Sequence, residues 1–242
     1  MKIVEYSSYL ITLILTIVLI IHWIRNRINP FPRLGFKFEY KILTDLVFAL
    51  LICLVSVMLI FIIQWSLGFI KIQQFNSPDL KFWLILLFLL IASFIEEILA
   101  RGIMVNGLGL IFKKNWQIII LVSLFFALGH AANPGVTWLS ILSNTLGGVL
   151  YTVAFIAAGN IWFPWAIHFF WNAFQFILGY PVSGVKFSSL AVQAETQNSI
   201  FHSNQYGPEG DLVGIAIRVI MFLTILIYVQ KVRSVDIKGI FL

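Results

Sequence analysis

Long apolar runs, broken by short polar stretches, dominate this chain. They fall at roughly 7–24, 45–70, 81–100, 116–131, 137–158, 161–179 and 212–230. Each approaches the roughly 20 apolar residues with which an α-helix crosses the hydrocarbon of a bilayer. The pattern predicts an all-α, polytopic membrane helix bundle of about seven transmembrane helices, six to eight bracketing the count, in one integral-membrane domain over 1–242. Trp23, Trp65, Trp83, Trp116, Trp138 and Trp162 fall near the proposed ends, where an aromatic belt places them. There is no internal repeat and no low-complexity tract. The long polar excursion is 180–211, rich in Pro, Ser, Gly, Gln and Asn, and a loop of that length is usually functional or disordered. Ser143, Gly147 and Gly148 are small residues at a spacing that permits close helix contact.

Composition removes the soluble alternative. The chain is 60% hydrophobic and 11% charged, with a mean hydropathy of +0.97, whereas soluble domains run at about 45–50% apolar and about 25% charged. A net charge of +6 raises nucleic acid as a partner, but the basic residues flank apolar runs and form no stripe with aromatic interleaving, so none is expected. They read as topology signals. Arg25, Arg27, Arg33, Lys37, Lys41, Lys113, Lys114, Lys231, Arg233 and Lys238 lie on one side, ten in all, against Lys2, Lys71, Lys81 and Lys186 on the other, where the final loop also carries Glu195, Glu209 and Asp211. The count predicts a multi-pass cell-membrane protein, N-terminus out and C-terminus in. Lys2 and Glu5 make a poor signal-peptide n-region and no cleavage site follows, so the opening run reads as a retained span. The single Cys53 reads as a small packed hydrophobe and builds neither a disulfide nor a cysteine metal site.

A few charges sit where lipid should exclude them. Ile95-Glu96-Glu97-Ile98-Leu99-Ala100-Arg101-Gly102 ends a run that is apolar from Phe82, and each charge costs roughly 2.5–3.5 kcal/mol at the bilayer centre on insertion scales. Glu97 and Arg101 are spaced i, i+4 with the acid first, the better orientation for a pair. Glu96, rotated about 100° away on the helix, faces elsewhere, with a basicity its surroundings can tune as a general base requires. Taken alone, the group also reads as an interfacial ion pair that caps a helix. His130 closes the fourth run and alone reads as a hydrogen-bonded structural residue. His168 and Asn172 then stand one turn apart on one face of an apolar helix and need a partner inside the bundle. His22 and His202 lie at an interface and in the long loop. Three helices thus converge on one polar cluster, a site by default.

Two chemistries suit that cluster. In one, Glu96 and a histidine activate water while His168 and Asn172 donate to an oxyanion. In the other, two histidines and a glutamate hold a divalent metal that acidifies its water. Both end in amide hydrolysis. No His-Glu-x-x-His, Gly-x-Ser-x-Gly or Cys-His arrangement is present.

These residues resemble the CPBP intramembrane proteases, which include the type II CAAX prenyl endopeptidases and proteins of bacteriocin processing and self-immunity. Glu-Glu-x-x-x-Arg matches Glu96, Glu97 and Arg101; Phe-x-x-x-His matches Phe126 and His130; His-x-x-x-Asn matches His168 and Asn172. The motif-bearing core covers about 82–180, with looser likeness at Pro181-Val182-Ser183-Gly184 and Tyr206-Gly207-Pro208-Glu209-Gly210. The resemblance implies an active site inside the bundle, with Glu96 as water-activating base, His130 assisting, His168 and Asn172 at the oxyanion, and Glu97 with Arg101 as structural support. A zinc ion, if used, would fall to Glu96, His130 and His168. It implies an endopeptidase acting on a membrane-associated, CAAX-type peptide or protein. The competing reading is a non-catalytic immunity or membrane-partner binding protein on the same scaffold. A proton-relaying transporter is disfavoured by the absence of repeats and broken-helix pairs.

Overall fold

The computed structural model describes residues 2–194 and 198–242, so Glu195 lies outside the described residues. Apolar helices occupy all seven predicted ranges: α1 (Lys2–Arg25), α3 (Ile42–Ser66), α4 (Leu80–Glu97), α6 (Asn115–Gly129), α7 (Trp138–Ala158), α8 (Trp162–Ile177) and α9 (Leu212–Lys231). Short helices α2 (Pro30–Arg33), α5 (Asn106–Leu108) and α10 (Ile237–Phe241) fill connectors. By length and composition Ile42–Ser66, Leu80–Leu108, Trp138–Ala158 and Leu212–Lys231 are long and apolar enough to cross a membrane. The third run is longer than its hydrophobicity predicted, because α4 continues without a break through a π-helical segment, Ile98–Val105, into α5.

Local chemistry explains the helix limits. Asn160 accepts from the N–H groups of Trp162 (3.1 Å) and Phe163 (3.2 Å) and so starts α8. Thr137 and Ser140 form a reciprocal capping box on α7. Asp211 accepts from Gly214 N–H at 2.8 Å, the N-cap of α9. These caps occupy donors that the first turn of each helix leaves free.

The bundle closes around α7 and α8, whose buried faces carry Tyr151, Val153, Ala154, Phe163, Ile167 and Trp171. α6 packs on α7, α3 and α4 on α8, and α9 on both α7 and α3. The small residues act as their spacing predicts: a Cβ on Gly148 would stand 2.7 Å from Ser123 Cα, so only glycine lets α6 and α7 approach this closely. Cys53 is a buried free thiol directed at Ile167 O. The first loop, the connector after α5 and the tail gather at one end. Lys41 Nζ donates to Val232 O (3.1 Å) and Arg233 O (3.2 Å), and Asn115 N–H to Leu242 O (3.3 Å).

The described residues of 180–211 fold back onto the opposite end, where the sequence suggested a long polar excursion. β2 (Ala191–Gln193) pairs antiparallel with β1 (Ile72–Phe75), and Tyr180, Val182, His202, Tyr206, Glu209 and Asp211 are all buried. His202, expected in a loop, is sealed against Phe69 and lies 3.3 Å from Gln64 Oε1. Burial holds the Asp211 carboxyl up at about 6 against 3.8, despite hydrogen bonds from Gly214, Gln64 and Ser203 that favour its charge. A raised acid contributes stability that is complete below its unfolded pKa and is lost as pH rises through the folded value. Asp211→Asn, which still caps, is therefore expected to gain about 3 kcal/mol on the parent between pH 4 and 7, read as the difference between the two unfolding midpoints in detergent. A difference that stays flat over that range would refute the assignment.

Candidate active site

Three helices bring the predicted polar residues to one point inside the bundle. Glu96 and Glu97 end α4, His130 follows α6, and His168 and Asn172 lie on α8. The π-helical segment begins directly after the two glutamates, a widening of the helix often found at functional sites. Adjacent positions on α4 then send the two carboxylates in different directions.

Glu97 faces inward and is fully buried. Its Oε1 accepts from Arg101 Nη1 at 2.9 Å and from His168 Nδ1 at 2.8 Å. Arg101, equally buried, also donates to Gly148 O at 3.2 Å and lies over the rings of Phe126 (4.7 Å) and Tyr151 (5.2 Å). Glu96 turns the other way, its side chain 41% accessible, with Oε2 3.9 Å from His130 Nε2 and 3.8 Å from His168 Nε2. Asn172 is buried one turn beyond His168 on α8.

Hydrogen-bond chemistry assigns the tautomers. His168 Nδ1 faces a carboxylate, and His130 Nδ1 lies 2.8 Å from Phe126 O. Both partners accept only, so each Nδ1 carries a proton and each ring turns its Nε2 towards Glu96. Glu96 Oε2 is itself an acceptor without a hydrogen-bond partner among the described residues. Glu96 Oε2 and the two imidazole Nε2 atoms therefore converge on one point, where a water can donate to Glu96 and to one imidazole. The donor set also has the chemistry of a zinc site, but among the described residues no group of three His, Cys, Asp or Glu side chains is arranged to hold a metal ion.

The far wall of the site comes from residues the motifs leave out. Tyr151 stacks on His168 with ring centres 4.8 Å apart. Glu209 accepts from Trp171 Nε1 (2.7 Å), Arg218 Nη2 (2.8 Å) and Ser183 Oγ (2.5 Å). Burial opposes its charge, but Arg218 and these donors hold Glu209 down at about 2. Arg218 also donates to Ser143 O (2.7 Å) and Ser143 Oγ (3.0 Å), and a Cβ on Gly147 would stand 3.2 Å from its Nη1. Ser183 sits in the left-handed region at φ 47°, a conformation that a non-glycine residue holds only under tertiary constraint. Phe126, His130, Tyr151, His168, Ser183, Glu209 and Arg218 share one narrow polar cleft. Arg218 carried a signal in the sequence: it is a lone charge six residues into an apolar run, which lipid should exclude on the same grounds as Arg101.

The fold and the cleft define a polytopic all-α membrane protein with an acid–imidazole centre among its helices. Residues 78–174 match the family model of the type II CAAX prenyl endopeptidase Rce1-like proteins. That segment, which holds every motif residue from Glu96 to Asn172, is an Rce1-like domain of the CPBP family, as the three motifs indicated. At family level this implies CAAX-type intramembrane protease activity on a membrane-associated protein substrate. No curated protein and no solved structure matches the chain.

Proposed function

We propose that this protein is an intramembrane endopeptidase that hydrolyses a peptide bond in a membrane-associated peptide or protein with water activated by Glu96. The observation that carries this reading is the convergence of Glu96 Oε2 with His130 Nε2 and His168 Nε2 at 3.9 and 3.8 Å, each imidazole anchored through its other nitrogen. A water at that point gives one proton to Glu96 as its oxygen attacks the carbonyl carbon, with His130 accepting its second hydrogen bond. The developing oxyanion takes hydrogen bonds from Asn172 Nδ2 and from His168 Nε2, which in this role is protonated on both nitrogens with Nδ1–H held by Glu97. Glu96 then returns its proton to the departing amine, and the carboxylic acid formed passes its own proton to that amine, leaving a carboxylate and an ammonium group. Arg101 takes no part in the bond changes; it holds Glu97 in place. The same reading puts the first loop and the tail inside the cell.

The test is cleavage of a farnesylated C-terminal CAAX peptide, and of the same sequence on a plain acyl anchor, by the purified chain in proteoliposomes. Preference between the two anchors identifies the lipid requirement. His130→Ala is expected to abolish cleavage of whichever is taken. Unchanged cleavage by a folded His130→Ala protein would overturn the proposal. Inhibition by 1,10-phenanthroline that zinc reverses would instead put the water on a metal at Glu96, His130 and His168. A protein that protects cells from a bacteriocin equally well with Glu96 and His130 replaced, but not with 180–211 altered, would be the non-catalytic binding protein.

A further inference from the structure

Two cavities meet at the end of the bundle that gathers the basic loops, away from the catalytic cleft. One, of about 390 Å³, is a trough walled by Leu19, Ile20, Trp23, Ile24, Leu34 and Ile103, with Arg27 at its edge. The other, of about 380 Å³, is polar, its lining including His22, Arg33, Asn106 and Asn115. Both volumes fall in the range of small-molecule sites. They share Leu19, Trp23 and Ile28 as a common wall, and no acidic residue lines either. An apolar trough joined to a cationic pocket has the shape and charge of an amphiphile with a negative head.

The charges are available for a ligand. Five basic residues lie in Arg25–Lys41 against one acid, Glu39. Glu39 is taken by Arg233 and Asn160, and Lys41 by the carbonyls of Val232 and Arg233. Neither Arg27 nor Arg33 is ion-paired with a described residue. A trough facing hydrocarbon excludes free inorganic anions from its apolar half, whereas a lipid fills both halves.

We propose that the two cavities form one binding site for an anionic glycerophospholipid, with an acyl chain in the trough and the phosphate head against Arg33, where His22 and Asn115 can donate beside it. The site borders the catalytic helix. Ile103 faces the trough and Val105 and Asn106 the pocket. Asn106 Nδ2 ties Arg33 O (2.9 Å) to Gly102 O (2.7 Å), one residue after Arg101. A Cβ on Gly102 would come within 3.1 Å of Leu34 Cδ2, so the first loop is seated directly on the π-helical segment. The bound lipid therefore packs against the helix that carries Glu96 and Glu97, through a helix, α1, that lies outside the Rce1-like segment.

The test uses the full chain in phosphatidylcholine nanodiscs with increasing phosphatidylglycerol, counting lipid retained after extraction by native mass spectrometry. One phosphatidylglycerol per chain is expected. Each surface arginine adds about fivefold to attraction for an anionic lipid, so Arg27→Gln with Arg33→Gln is expected to lower retention about 25-fold at an unchanged unfolding temperature. Ile20→Trp, which fills the trough from its exposed side, is expected to lower it with both arginines intact. Equal retention of phosphatidylcholine, or unchanged retention in the arginine double variant, would overturn the proposal. Displacement of the lipid by inorganic phosphate alone, with Ile20→Trp without effect, would reduce the site to a head-group pocket and also overturn it.

Discussion

Glu96→Gln is expected to leave a folded protein whose cleavage rate falls by about 10²–10⁴, the usual contribution of a positioned general base. The substitution keeps shape and removes basicity. Little structure depends on the carboxylate: the side chain is 41% accessible and Oε2 has no hydrogen-bond partner among the described residues. The unfolding midpoint in detergent should therefore match the parent while single-turnover cleavage of the membrane-tethered peptide is lost. Asn172→Ala should cost about 10²–10³ for a lost oxyanion donor, again without unfolding. If Glu96→Gln cut the rate by less than about tenfold, the acid–imidazole convergence would have to be structural.

Arg101→Met should do the reverse, acting on stability before chemistry. Removing one partner of a fully buried ion pair costs about 3–5 kcal/mol, because the remaining charge is left desolvated. Arg101 and Glu97 are both 0% exposed, and Glu97 would keep only its contact with His168. The loss includes the donation to Gly148 O that ties the π-helical segment to α7 and the stacking over Phe126 and Tyr151. Pairing the change with Glu97→Gln should recover part of the loss, since no charge then stays buried. Denaturant midpoints of the two single variants and the double measure this coupling. A double variant as unstable as the sum of the singles would show that the pair is not the stabilising unit.

Much of the architecture was legible because lipid imposes a coarse rule. A crossing segment must be apolar over its length, so the seven helices fall where the runs do, and a charge inside a run stands out. Glu96, Glu97 and Arg101 were visible for that reason, and the i, i+4 spacing of Glu97 and Arg101 gives their contact directly. The far wall was less legible. Glu209 and Ser183 lie in a stretch whose Pro, Gly, Ser and Asn content marks only a loop, and nothing local says that it folds back to put both against Trp171 and Arg218. Its burial comes from partners distant along the chain, such as Gln64 with Asp211 and Asn133 with Ser183.

Hydrophobic spacing along the chain by itself determined the solvent, the fold class and the polar residues that lipid would not tolerate, because burial in hydrocarbon tests each residue almost independently of its neighbours in space. Only the tertiary structure decided that His168 joins Arg101 on Glu97 and which ring nitrogens face Glu96. It also decided that the polar loop supplies Ser183 and Glu209 to the cleft and that the first loop seats on the π-helical segment at Gly102. Those outcomes depend on distances of 3–4 Å between atoms far apart in sequence, set by how α4, α6, α7 and α8 pack, and no local pattern carries that information.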